Sequence, residues 1–166
     1  MKTHVIIGAS AGGIGCANTL RRLCPTDKII CFSAEQELPY NKCFLADYAN
    51  TDKTAEQITI FTQEVAKNKN IQLLLGTRIT EVNTEEQTVV SQKGKQYSYD
   101  SWVLATGASP IIPSIIGMQN TKGLFTFHTM HDVNKLHEYI QSNKPKKAVV
   151  IGAGLSGLEC ADFLIS

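Results

Sequence analysis

The 166-residue sequence has no apolar run approaching the roughly 18 residues that a membrane-spanning helix needs, so nothing in it reads as a transmembrane segment. Neither sign of charge dominates: 16 Lys and Arg stand against 15 Asp and Glu, a net of +1. That balance lacks the basic footprint that binding to nucleic acid or an anionic membrane surface calls for. There is no Cys-x-x-Cys, and the five cysteines Cys16, Cys24, Cys31, Cys43 and Cys160 match no zinc pattern. Their odd number and scattered spacing point to thiols in a reducing compartment, mostly buried. The apolar stretch before Gly8 is too short for a signal-peptide core, which gives the expectation of a cytoplasmic protein.

What is present fits a folded α/β chain. With 43% hydrophobic and 19% charged residues, long disorder and fibrous repeats are excluded. His4 to Ile7 forms a short apolar run, followed by the turn Gly8-x-Ser10-x-x-Gly13. Beyond it Ile14, Ala17, Leu20 and Leu23 recur at helical spacing, and Cys24-Pro25 stops the helix. Ile29 to Phe32 reads as a buried parallel strand, completing a strand–turn–helix–strand unit. The stretch from Glu35 to Thr59 has little periodicity and is expected as loop and short helices. A helix over 62–68 and a strand over 71–75 follow, then three short β runs (77–83, 88–91 and 96–99) separated by turn residues, an antiparallel meander. Trp102 to Ala105 is expected as another buried strand. Residues 111–122 look like a linker, 130–142 like a helix, and Ala148 to Ile151 like a second strand leading into Gly152-x-Gly154-x-x-Gly157 and a further helix. The apolar periodicity of that helix reaches Ser166 without a cap, so a longer parent chain is expected.

The two glycine turns carry the chemistry. A helix N-terminus holds a diphosphate through amides that lack intrahelical partners, and a side chain in the preceding turn would keep the phosphates away. Gly152, Gly154 and Gly157 match this pattern fully. In the first turn Gly8 and Gly13 match, Ser10 replaces the middle glycine, and Ala11 and Gly12 lie beside it. A dinucleotide fold also places a carboxylate about 20 residues further on to bind the ribose hydroxyls. Glu35 stands at that distance from Gly13, just after the second strand, with Glu37 as the fallback. Two such turns in one chain suggest two nucleotides, one passing electrons to the other.

These residues resemble the FAD-dependent pyridine nucleotide–disulfide oxidoreductase superfamily over nearly the whole chain. Four features carry the resemblance in order: the first turn; Glu35-x-x-x-Pro39-Tyr40-x-Lys42; Tyr99-Asp100 through Ala105-Thr106-Gly107; and the second turn continued as Gly157-x-Glu159-x-Ala161. The Pro-Tyr-x-basic segment looks like the branch of ferredoxin, rubredoxin and nitrite reductase flavoproteins. The fold implied is a Rossmann-like FAD-binding domain, a parallel sheet plus a β meander, over 1–112. A linker and the beginning of an inserted NAD(P)H-binding Rossmann domain would occupy 113–166.

The resemblance implies FAD as cofactor and NAD(P)H as substrate, with hydride passing from nicotinamide to flavin and electrons onward to a small redox protein or small-molecule acceptor. A homodimer is one candidate assembly of the full-length form. By resemblance, Gly8, Ser10, Ala11, Gly12 and Gly13 hold the FAD pyrophosphate and Glu35 the adenosine ribose. Lys42 lies near the phosphates in place of an arginine, Ile79 contacts adenine through its backbone, and Ala105, Thr106 and Gly107 pass close to the cofactor. Gly152, Gly154 and Gly157 would hold NAD(P)H. His128 occupies the place of another arginine, and Asp47 that of a lysine. Cys43 falls where a single-cysteine branch (NADH oxidase, NADH peroxidase, coenzyme A–disulfide reductase) keeps a redox thiol, which gives a second reading. A third is a non-catalytic nucleotide-binding fragment, because the resemblance places the rest of the flavin site in sequence beyond this span.

Overall fold

The computed structural model describes residues 1–118 and 121–165. In chain order its elements are β1 (Thr3–Ile7), α1 (Ala11–Leu23), β2 (Lys28–Phe32), a 3-10 turn (Lys42–Phe44), α2 (Leu45–Ala49), α3 (Ala55–Ile58), α4 (Gln63–Asn68), β3 (Ile71–Leu74), β4 (Ile79–Asn83), β5 (Thr88–Ser91), β6 (Gln96–Ser98), β7 (Ser101–Leu104), α5 (Met130–Asn143) and α6 (Leu155–Ile165). They divide into two compact units. The first contains residues 1–41 and 59–107, and the second residues 42–58 and 108–166. The first unit therefore ends at Gly107, and the segment from Lys42 to Ile58 groups with the C-terminal part of the chain. The expected α/β class is what the first unit shows.

Its parallel sheet has the order β3-β2-β1-β7, and β4-β5-β6 form a separate antiparallel sheet. β1 lies between two parallel partners, with Ile6 opposite Cys31 on β2 and Val103 on β7. Because successive strand side chains point to opposite faces, the apolar residues of β1 and β2 sort into two cores. Ile6, Ile29 and Cys31 pack with Ile14 and Ala17 of α1, Ala66 of α4, and Ile71 and Leu73 of β3. Val5, Ile7, Ile30 and Phe32 pack on the other face with Val89 and Tyr99, and Tyr97 meets the Phe32 ring edge-on at 4.9 Å. The result is helix, sheet and meander in three layers. Each fully buried Ile, Val or Phe contributes about 1.5–3 kcal/mol to holding them together.

Arg21 fastens the amino-terminal edge of this unit. Its Nε donates to the Lys69 carbonyl at 2.9 Å. Nη1 donates to the carbonyls of Cys24 and Pro25 at 3.0 and 2.8 Å, and Nη2 to those of Asp27 and Asn70, both at 2.8 Å. All five guanidinium donors are thus used on backbone, joining the end of α1, the loop before β2 and the loop before β3.

The second unit is helical. α5 begins with a capping box: the Thr129 side chain accepts from the Asp132 amide, and the Asp132 carboxylate accepts from the Thr129 amide. α2 packs against α5 and α6. Tyr48 donates to Asn134 at 2.7 Å, and the His137 ring lies 2.9 Å from the Ala49 carbonyl. The strand expected over 148–151 is not formed. Those residues make no ladder, and Val149 and Ile151 are 86% and 59% exposed. A strand needs a neighbour to satisfy its amides and cover its apolar side chains, and none is present there among the described residues. The expected linker includes Gln119 and Asn120, and the expected helix end includes Ser166; these three lie outside the described residues.

Two consequences can be measured. Arg21→Ala should destabilise the first unit by about 2–3 kcal/mol in chemical denaturation, and Arg21→Lys should recover only part, because an ammonium cannot reach carbonyls on three segments at once. Burial, with a smaller effect of Cys16, pushes the Cys31 thiol from its ordinary 9.0 up to about 12. Folding therefore favours the protonated thiol. Its contribution is intact below about pH 9 and is lost as pH rises towards 12, at up to about 1.4 kcal/mol per pH unit. Alkylation of the native chain near pH 8 should accordingly label exposed Cys43 and spare Cys31 until denaturant is added, as read by mass spectrometry.

Candidate functional site

The order β3-β2-β1-β7 places a topological switch at the carboxyl end of β1. From β1 the chain crosses through α1 to β2 on one side, while β7 lies on the other. In open α/β sheets the crevice at such a point is where ligands bind. Gly8 sits there, its amide donating to the Phe32 carbonyl at 2.9 Å, and Ala105 leaves β7 with its amide on the Ile7 carbonyl at 2.8 Å.

Glycine is required here by contact as well as by torsion. Gly8 has φ +112°, and a Cβ on it would lie 2.0 Å from the Ala105 carbonyl oxygen. A Cβ on Gly13 would lie 1.8 Å from the Gly8 carbonyl oxygen. Both positions are closed by the protein's own backbone. Gly12 differs, since a Cβ there would meet nothing within 4 Å. The first turn of α1 thus faces open space at Gly12. Ser10 is the N-cap residue, yet its side chain makes no capping hydrogen bond, and the first turn carries no acid. The leading amides and the positive end of the helix dipole are left to a partner from outside, a site suited to an anion.

Glu35 follows β2 and is half-buried. Tyr40, itself buried, donates its hydroxyl to Glu35 Oε2 at 2.8 Å, and the Glu35 carbonyl accepts from the Gly76 amide at 2.8 Å. The tyrosine of the Pro-Tyr segment therefore orients the carboxylate, a link the sequence motif did not disclose. Ile79 opens edge strand β4 and packs against the meander-side core. Ala105, Thr106 and Gly107 form an irregular segment beyond β7, and Gly107 has φ +69°. These residues and the first glycine turn all belong to the first unit.

The second turn repeats the first. Gly152 has φ +115°, and a Cβ on Gly157 would lie 2.0 Å from the Gly152 carbonyl oxygen. Gly154, the counterpart of Ser10, has room for a Cβ, with nothing within 4 Å, and Ser156 stands where the first turn has Gly12. The copies also differ at the first glycine: a Cβ on Gly152 would meet nothing within 4 Å, where one on Gly8 would meet the Ala105 carbonyl. Lys42 and Cys43 are in the 3-10 turn of the second unit, Lys42 half-buried and Cys43 exposed. The His128 ring is 3.0 Å from the Ala108 carbonyl and its amide donates to Asp132, so this histidine is tied into the start of α5.

Comparison with known proteins agrees with this geometry. The chain is 34% identical over 163 residues to an NADH oxidase of Methanocaldococcus jannaschii, a match covering 95% of this chain and 36% of that protein. Among solved structures, reduced Bacillus anthracis CoADR-RHD superposes with a TM-score of 0.89 at 30% identity, covering 99% of this chain and 31% of that one. The reductase–putidaredoxin covalent complex gives 0.82 at 29% identity, covering 99% of this chain and 40% of that one. The chain thus spans about a third of the length of the curated relative it matches. The family model described as pyridine nucleotide-disulphide oxidoreductase matches residues 2–166, and to that family the chain belongs.

Proposed function

We propose that this chain carries the first FAD-binding part, and the opening of the NAD(P)H-binding part, of a FAD-dependent NAD(P)H oxidoreductase. Residues 1–112 would supply the first part of the FAD domain, and 113–166 the linker and the opening of the NAD(P)H domain. The observation that carries the reading is the duplicated turn. Two segments 144 residues apart in numbering, Gly8–Gly13 and Gly152–Gly157, share a positive φ at the first glycine and, at the last, a contact with the first glycine's carbonyl that admits no side chain.

The residues present fit FAD. The amides of Ala11, Gly12 and Gly13 at the α1 N-terminus would receive the pyrophosphate, with Ser10 beside them and its hydroxyl uncommitted to the helix. Glu35, oriented by Tyr40, would accept from the adenosine ribose hydroxyls. Ile79 would meet adenine through its main chain, and Ala105 to Gly107 would border the cofactor. Lys42 is assigned to the phosphates on the sequence pattern alone. When bound, FAD supplies a two-electron centre that takes hydride from NAD(P)H and passes electrons to an acceptor. Gly152, Gly154 and Gly157 would hold the nicotinamide nucleotide's pyrophosphate. Similarity to the putidaredoxin reductase of the covalent complex supports a small redox protein as acceptor.

A second reading assigns Cys43 as a redox thiol that reduces peroxide or a disulfide. Its exposure and the similarity to an NADH oxidase favour it. A Cys43 thiolate would attack a peroxide oxygen, breaking the O–O bond and leaving a sulfenate, or a disulfide sulfur, expelling one thiolate and leaving a mixed disulfide. The two electrons that return Cys43 to the thiol would come from NAD(P)H by way of FAD.

The glycines give a test that separates folding from binding. Gly12→Ala should leave the thermal midpoint of the chain nearly unchanged, within about 0.5 kcal/mol of stability, yet weaken FAD or ADP binding by about tenfold or more in a fluorescence titration. Gly8→Ala should destabilise the fold itself through its clash with Ala105. Equal FAD and ADP affinities in Gly12→Ala and the unaltered chain would remove the pyrophosphate from this turn. For the second reading, Cys43→Ser in the full-length enzyme should abolish peroxide or disulfide reduction and spare NADH-dependent dye reduction. Loss of neither activity would eliminate Cys43 as a redox centre.

A further inference from the structure

At the opposite end of the parallel sheet from the glycine turn, the nucleotide reading leaves a group of side chains unused. His4 is the second residue of β1 and is buried, with its side chain 10% exposed. Its Nε2 lies 3.1 Å from Asp27 Oδ2, and its Nδ1 lies 2.6 Å from Ser101 Oγ on β7. Cys24 stands at the α1 C-cap. One ligand atom from each of His4, Cys24 and Asp27 lies within 4.8 Å of the other two. Imidazole nitrogen, thiol sulfur and carboxylate oxygen together make a donor set suited to a borderline divalent cation.

We propose that His4, Cys24 and Asp27 form a binding site for a zinc-type divalent cation at the amino-terminal edge of the first unit. Three features of the geometry carry this. The first is spacing: around zinc each ligand atom lies about 2.0–2.3 Å from the ion, so ligand atoms are roughly 3.2–3.8 Å apart. The His4–Asp27 pair already stands near that separation, and the half-exposed Cys24 side chain has to close by about 1 Å, within reach of a small side-chain torsion.

The second is commitment of the surrounding atoms. Asp27 Oδ1 accepts from the Lys2 amide at 2.9 Å, so Oδ2 is the oxygen turned toward the histidine. With a cation on Nε2, Nδ1 carries the proton and donates it to Ser101 Oγ. That outer bond fixes the ring and its tautomer, as the partners of metal-bound histidines do. The third is preorganisation. Cys24 and Asp27 sit on one tight loop, and Arg21 donates to the carbonyls of Cys24, Pro25 and Asp27. The Cys24 amide is held on Leu20 at 2.7 Å and the Asp27 amide on Cys24 at 3.3 Å. The backbone that presents two of the three ligands is thereby fixed before any ion arrives, which lowers the ordering cost of binding. Three protein ligands leave a fourth tetrahedral position for water or a further donor.

The test uses the 166-residue chain, stripped with a chelator and titrated with zinc against a chromophoric zinc indicator, then with cobalt(II) in its place. One equivalent of zinc should bind, and cobalt should give a thiolate charge-transfer band in the near ultraviolet. Cys24→Ser should abolish that band and weaken zinc at least about tenfold, and Asp27→Asn should weaken zinc similarly. Ser101→Ala, which removes only the outer partner, should weaken it by about 10–100-fold while keeping the band. Cys43→Ser should change neither readout, and Gly12→Ala should bind zinc as the unaltered chain does, which keeps the outcome separate from the nucleotide reading. Far-ultraviolet circular dichroism checks that each variant is folded, and Asp27→Asn serves where Cys24→Ser is not. Absence of stoichiometric zinc, a cobalt band that survives Cys24→Ser, or one that vanishes in Cys43→Ser would each overturn the site.

Discussion

The first unit depends on one close approach of backbone to backbone. At the carboxyl end of β1 the chain turns at Gly8 directly against the Ala105 carbonyl, and the helix starting at Ala11 closes back so that Gly13 lies against the Gly8 carbonyl. No side chain fits at either contact. Because β1 is the inner strand between β2 and β7, this tight corner also fixes how α1 lies on the sheet and therefore which residues face each core. The glycines at the contacts serve the fold. Gly12 makes no such contact: open space lies in front of it, and its glycine is not demanded by the surrounding backbone. A single motif thus contains two kinds of glycine, and only the three-dimensional surroundings tell them apart.

The second turn isolates the local part of that design. Gly152 and Gly157 reproduce the torsion and the carbonyl contact of Gly8 and Gly13, although residues 148–151 make no sheet. The turn is therefore encoded by its own few residues and by the helix that follows. A parallel strand is not: its hydrogen bonds and its burial both come from segments distant in sequence. Val149 to Ile151 carry the β-branched signal of an inner strand and stay largely exposed because nothing beside them among the described residues supplies the ladder.

This difference explains what could be read from the sequence. Elements whose signals are local were legible: α1 with its proline stop, α4 behind Thr62, α5 behind Thr129, and the meander with its turn residues all stand within a few residues of where the pattern placed them. The glycine turns and the placement of Glu35 after β2 were legible for the same reason. The orientation of Glu35 by Tyr40 was not, since the motif spacing says nothing of which hydroxyl reaches which oxygen. Arg21 gave no sign either, because its five acceptors are main-chain carbonyls and carry no residue signature. His4, Cys24 and Asp27 are brought together by the pairing of β1 with β2 and the loop before it, so a search for ligand spacing along the chain passes over them. The grouping of residues 42–58 with the C-terminal part is likewise a property of packing, invisible in composition.

The helices differ in how their first turns are capped. α4 and α5 both start on a threonine whose side chain accepts from a first-turn amide, the usual self-sufficient arrangement. α1 starts on Ser10, a residue equally able to do so, and its side chain does not. Forgoing a cap costs a helix about 1 kcal/mol. At the other end of the same helix Arg21 and Arg22 complement the dipole, and the Cys24 amide continues the ladder to Leu20. α1 thus has complementary charge at its C-terminus and no side-chain cap at its N-terminus, the end that faces open space at Gly12. A helix optimised for stability alone would use its serine. One that leaves its positive end bare keeps its leading amides available to an anion, which is the property the proposed pyrophosphate site relies on.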